Sequence, residues 1–146
     1  MIVYLDSSVL ARAYLADEPG HEQATSLLAD PEIGLVTGTW ARIEVSGALV
    51  RAARAGRGDE AGLLELLDGD LGTDGPVTVV TADHKEVEER ALQLVRGHAL
   101  RAMDAWHLAV AVLTLPVLAE PGEDVGFATR DEAQSSVAVS LGLQPV

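Results

Sequence analysis

Short apolar runs alternate with longer helical patterns along this chain. Four runs, IVYL (2–5), LVTG (35–38), VTVV (77–80) and VGFAT (125–129), have the length and composition of buried strands, and a fifth strand is possible near Leu143. Between them, apolar residues recur at helical spacing and predict helices over 7–15, 20–29, 39–55, 59–71, 83–97, 101–114 and 131–141. Asp83 with Glu86 and Asp131 with Gln134 carry capping-box chemistry at helix starts, and Gly56, Gly97 and Gly142 suit helix ends. Strands that alternate with helices predict an α/β fold with a short, mainly parallel central sheet flanked by helices. No repeat or linker interrupts the pattern, so one domain over residues 1–146 is expected.

Four acids break this pattern. Asp6 follows IVYL, Glu44 is the only acid in TWARIEVSGALV, Asp104 the only acid in RAMDAWHLAVAVL, and Asp131 follows VGFATR. An ionised carboxylate inside a core-forming element is costly unless something compensates it. Cations are scarce: Lys plus Arg number 10 against 23 Asp plus Glu. A divalent ion is the economical partner. Mg²⁺ and Mn²⁺ favour carboxylate oxygens, and four convergent carboxylates would hold one or two such ions. At a separation of ~5 Å and an effective dielectric of ~20, each carboxylate pair repels by ~3 kcal/mol, so metal binding would relieve a strained cluster. In open α/β sheets ligands bind beyond the carboxyl ends of the strands, where Asp6 and Asp131 both fall.

Each acid also has a structural reading. Asp6, Ser7 or Ser8 can cap the helix after the first strand, and Asp131 can cap the last helix. Glu44 and Asp104, placed in helix interiors, can instead pair with an arginine such as Arg42 or Arg101. His107, three residues after Asp104 on the same helical face, either supports a ligand carboxylate or is a satisfied structural histidine. Trp40 and Trp106 are expected in the core; His21, His84 and His98 show no metal-ligand spacing.

The net charge of −13 argues against broad adhesion to nucleic acid. Contact with phosphates would have to run through bound metal and a local basic strip, Arg42, Arg51, Arg54 and Arg57; the competing reading is a solvated helix end. Arg51 lies two helical turns from Glu44 on nearly the same face. The chain has no cysteine, which excludes disulfides and thiolate zinc sites. No secretory signal is evident, and the run from Leu108 is too short to span a bilayer and is interrupted by Pro116, so a cytoplasmic protein without a membrane partner is expected.

Taken together, these segments resemble the PIN-domain ribonucleases, and within them the VapC toxins of VapBC toxin–antitoxin systems. IVYLDSSVLARAYLADEPGHEQA resembles the family's opening strand, first Asp with its Ser pair, and first helix pair. TWARIEVSGALVRAARAG resembles the helix with the central Glu, HALRAMDAWHLAVAV the helix with the third acid and its DxxH pattern, and FATRDEAQSSVAVSLGL the closing strand, TxD turn and helix. The resemblance implies an α/β/α sandwich in which Asp6, Glu44, Asp104 and Asp131 are the catalytic Mg²⁺ or Mn²⁺ ligands, with Ser8 supporting Asp6. It implies metal-dependent endonucleolytic cleavage of RNA by a homodimer neutralised by a cognate VapB-like antitoxin. The alternatives are a PIN-type nuclease of RNA processing without an antitoxin, and a non-catalytic interaction module of the same fold. A phosphatase is disfavoured because DSS lacks the second Asp of a DxD pair.

Overall fold

The computed structural model describes residues 1–146. Five strands, β1 (Ile2–Leu5), β2 (Gly34–Gly38), β3 (Val77–Val80), β4 (Val125–Ala128) and β5 (Gln144–Pro145), form one sheet in the order β3-β2-β1-β4-β5, every pair parallel. Parallel neighbours require crossovers, which the helices supply. These are α1 (Ser7–Tyr14), α2 (His21–Leu28), α3 (Thr39–Arg54), α4 (Glu60–Asp70), α5 (His84–His98), α6 (Ala102–Leu118) and α7 (Glu132–Ser140).

The helices divide between the two faces of the sheet. Val3, Leu5, Leu35, Val77 and Ala128 pack with residues of α1 to α4, while Tyr4, Val36, Val80 and Phe127 pack with residues of α5 to α7. Alternation along β1 sends Val3 and Leu5 to one core and Tyr4 to the other, so the next residue, Asp6, turns toward the α6 side. The chain leaves β1 for β2 on one side, and β4 takes the other side. The carboxyl ends of β1 and β4 therefore flank the point where the order of connection reverses, the place where such sheets bind ligands.

Three local expectations fail. α6 runs through Pro116 to Leu118 instead of stopping near 114, because a proline in the last turn removes little of a ladder that is about to end. α5 continues through Gly97, and Ala99 takes the left-handed terminal position (φ 54°) instead. Trp40 is 42% exposed and Trp106 half-buried; with His84 they form a surface aromatic group, its rings 6.3 Å and 5.2 Å from Trp106. No helix is long and apolar enough to cross a membrane.

Candidate active site

Asp6 caps α1 and belongs to the site through the same side chain. Oδ2 accepts from the Ser8 backbone N–H (3.0 Å) and from the Ser8 hydroxyl (2.6 Å), while the backbone N–H donates to Ala128 of β4. Oδ1 has only long contacts, with Gln134 Nε2 at 3.5 Å and His107 Nε2 at 3.9 Å. The carboxylate is only 6% exposed, so capping consumes one oxygen and leaves the other aimed into the site.

Glu44 flanks the buried stripe Ala41–Val45–Leu49 of α3. Its Oε2 accepts from the Ser7 hydroxyl and from His107 Nε2, both at 2.6 Å, and no arginine pairs with it. His107 is 1% exposed, and its Nδ1 lies 2.8 Å from the Tyr4 hydroxyl, which accepts in turn from the Gly38 N–H at 2.9 Å. One assignment of protons satisfies every partner: Tyr4 donates to Nδ1, and Nε2–H donates to Glu44. The hydrogen bond from His107, helped by Ser7 and opposed by burial, holds the Glu44 carboxyl below the usual carboxylate range. Burial pushes the Tyr4 phenol far up, so it stays a neutral donor.

Asp104 occupies the first turn of α6, not the helix interior, where the helix dipole favours a carboxylate. Burial, then the charges of Asp6 and Asp131, push its carboxyl up, against the opposing charges of Arg101 and His107. Asp131 caps α7, its Oδ1 accepting from the Gln134 N–H at 2.8 Å. The Gln134 side chain does not close the capping box. Fully buried, it accepts from Thr129, donates to the Asp104 carbonyl at 3.1 Å and reaches Asp6. It therefore ties the end of β4 to the start of α6 and to the end of β1. Sequence reasoning assigned Gln134 to the cap and missed this role; its signal was a polar residue on the same helical stripe as the apolar Val137 and Ala138. Tyr4, Ser7 and Thr129 were missed as well.

The charges of Asp6 and Asp131 thus both act on Asp104, while Glu44 is held near Asp6 through His107. No three acidic or histidine side chains are arranged to share one ion. The donor chemistry nevertheless fits Mg²⁺ or Mn²⁺: the free oxygens are all carboxylate, no Lys or Arg lies within 4.0 Å of any of the four acids, and Mg²⁺ needs only one or two protein carboxylates beside its waters.

The basic strip is largely neutralised. Arg42 donates to Asp68 at 2.6 Å, Arg54 lies 3.9 Å from Glu60, and Arg57 grips Asp17 and Glu18, because α4 and the turn after α1 bring acids alongside α3. Arg51 alone of the four has no acidic partner within 4.0 Å.

The PIN domain family model matches residues 3–139, and the chain belongs to that family. Among solved structures, the chain is similar to VapC20 of Mycobacterium tuberculosis, described as a sarcin–ricin loop cleaving toxin, at 24% identity over 74% of this chain and 79% of that one, with a TM-score of 0.52. It is also similar to VapBC-1 of nontypeable Haemophilus influenzae, at 18% identity over 100% of this chain and 97% of that one, with a TM-score of 0.56. A search among curated proteins returns no match.

Proposed function

We propose that this PIN domain is a divalent-metal-dependent endoribonuclease, the toxin of a toxin–antitoxin pair. The observation that carries the reading is that Asp6 and Asp131 follow the ends of the adjacent strands β1 and β4, that their charges, after burial, raise the pKa of Asp104 at the start of α6, and that no Lys or Arg lies within 4.0 Å of any of the three. Such an arrangement weakens an empty site and suits one built to take a cation. Likeness of fold to a VapC toxin and to a VapBC pair supports the toxin assignment and a cognate VapB-like antitoxin; a homodimer is the assembly that goes with this reading.

Asp6, through Oδ1, and Asp104 would hold the ion, with Asp131 and Glu44 completing its surroundings. When bound, Mg²⁺ or Mn²⁺ supplies an activated water and charge neutralisation at a phosphodiester. The protein's own share is orientation. Ser8 fixes Asp6 from one side and Gln134 from the other, and the Tyr4–His107 relay sets the angle and charge of Glu44.

The test is cleavage of purified RNA by the isolated protein in Mg²⁺ or Mn²⁺, against chelator and against Asp6→Asn and Asp104→Asn. Cleavage that needs the metal and is lost in folded variants is the expected result. Metal-independent cleavage, or cleavage undiminished in both variants, overturns the assignment. Absence of cleavage points to an interaction module of the same fold.

A further inference from the structure

The side of the site away from α6 opens into a cavity of ≈ 920 Å³ that runs from Asp131 and Thr129 to the start of α2, with Arg12 and Arg130 in its wall. The two arginines come from positions far apart in sequence and meet at Gly20: a Cβ there would lie 2.7 Å from Arg130 Nη1 and 3.0 Å from Arg12 Nη1. Two cationic heads thus crowd one point. In a chain of net charge −13 such a pair would be expected to find carboxylates, and Glu22, Asp30 and Glu132 line the same cavity. None comes within 4.0 Å of either guanidinium, and the nearby Glu18 is taken by Arg57 at 2.6 Å. The single side-chain contact of Arg12 is a hydrogen bond to the Pro19 carbonyl at 2.7 Å. Burial and then the Arg130 charge hold the Arg12 guanidinium below its usual value, outweighing the opposing charge of Glu18.

Arg12 also lines a second cavity, of ≈ 350 Å³, together with Ser8 and Arg51. Arg12 thus stands between the two cavities, whose walls together carry Arg51, Arg12 and Arg130. The second cavity reaches Ser8, whose hydroxyl holds Asp6 and accepts from the Arg130 backbone N–H at 3.2 Å. A polyanion lying across Arg12 from one cavity to the other would have its backbone beside the acid site.

Resting on the ribonuclease reading, we propose that Arg12 and Arg130 jointly bind one phosphate of the RNA strand and that Arg51 binds a further one, forming a backbone track that sets the scissile bond over Asp6. Paired guanidinium forks suit a phosphate's several acceptors. No aromatic side chain lines either cavity, so the grip is on the backbone and leaves base choice to other contacts.

The experiment measures binding of a fluorescein-labelled single-stranded RNA in Mg²⁺, in the Asp104→Asn background so that the strand stays whole. Arg12→Gln/Arg130→Gln is compared with Lys85→Gln/Arg96→Gln, which removes equal charge from the exposed face of α5. The cavity pair should raise Kd by about tenfold or more and flatten the slope of log K against log salt by about 0.7, the value for one lost single-strand phosphate contact. In the otherwise native chain it should raise KM with kcat within about twofold. Values matching the α5 control overturn the track and reassign the arginines to another anionic partner, such as an acidic protein segment. Failure of the parent chain to bind RNA also overturns it. Arginine-dependent binding by a chain that never cleaves would leave the track standing and remove the nuclease.

Discussion

Tyr4→Phe isolates the buried relay beneath the candidate site without touching an acid. Phenylalanine keeps the ring, which stacks on Phe127 at 5.5 Å, and deletes one oxygen. That oxygen is the acceptor for the Gly38 N–H and the donor to His107 Nδ1, and both groups lie where water does not reach. Every buried polar side-chain atom has a partner in the native protein, so the substitution creates orphans in a fully paired interior. At about 1–3 kcal/mol for each of the two orphaned groups, and with no cavity of consequence, the expected loss is about 2–6 kcal/mol. In a chain of this size that lowers Tm by roughly 6–18 °C. Urea unfolding followed by circular dichroism should show a lower midpoint at unchanged m. In function, His107 Nδ1 has no partner in either tautomer once the hydroxyl is gone, so the ring that holds Glu44 through Nε2 loses its second anchor; RNA cleavage should fall about tenfold. A Tyr4→Phe protein within 0.5 kcal/mol of the native one would refute the relay.

Three other outcomes follow from the same geometry. Asp104 has a raised pKa, so its ionised form opposes folding at neutral pH and the penalty disappears as pH falls; Asp104→Asn should raise the metal-free Tm by about 1–2 °C, the small size reflecting solvent screening, while losing the Tm gain that Mn²⁺ gives the native chain. Lower metal-free stability in that variant would count against the cluster. Glu44 has a depressed pKa, so its contribution is fully present above the unfolded value of about 4.3 and is lost as pH falls through the folded value; the stability gap between native protein and Glu44→Gln should narrow from pH 6 to pH 3, and a constant gap would contradict the His107 bond. Gly38→Ala places a Cβ 2.6 Å from the Tyr4 hydroxyl, and the expected cost of about 1–3 kcal/mol should shrink in a Tyr4→Phe background, which a double-mutant cycle measures.

How far the sequence carries depends on how local the determinants are. The strand runs and helical spacing predicted an α/β fold because each is a property of a few consecutive residues, and the separation of strands by helices already implied a parallel sheet; the α/β/α sandwich came from the family resemblance. Asp6 and Asp131 stood out because a strand end can be located from the run that precedes it. The side chains that surround them could not be read this way. Tyr4 and His107 are 103 positions apart, Ser7 and Glu44 37, Gln134 and Asp6 128, and nothing in the local pattern of either partner announces the other. The arginines show the same limit with the opposite sign. The visible strip along α3 is largely neutralised by acids from α4 and from the turn after α1, whereas Arg12 and Arg130, isolated in sequence, meet in space.

The placement of charge also reconciles an acidic protein with a phosphate substrate. Arg42, Arg57 and Lys85 lie near acids at the surface, where pairing contributes little to stability but removes the cation from general attraction of polyanions. Arg12, Arg51 and Arg130 escape pairing and line two cavities that share Arg12, beside Asp131 and Ser8 and hence the acids whose charge, with burial, disfavours an ionised Asp104 in the absence of a cation. Long-range attraction for nucleic acid is thereby weak, and binding depends on the strand meeting arginines and metal together. An RNA held only by the arginines would face uncompensated carboxylates, and a metal held only by the acids would lack phosphate ligands. Affinity for RNA and affinity for the metal should therefore each rise when the other is present, a coupling that must be equal in both directions.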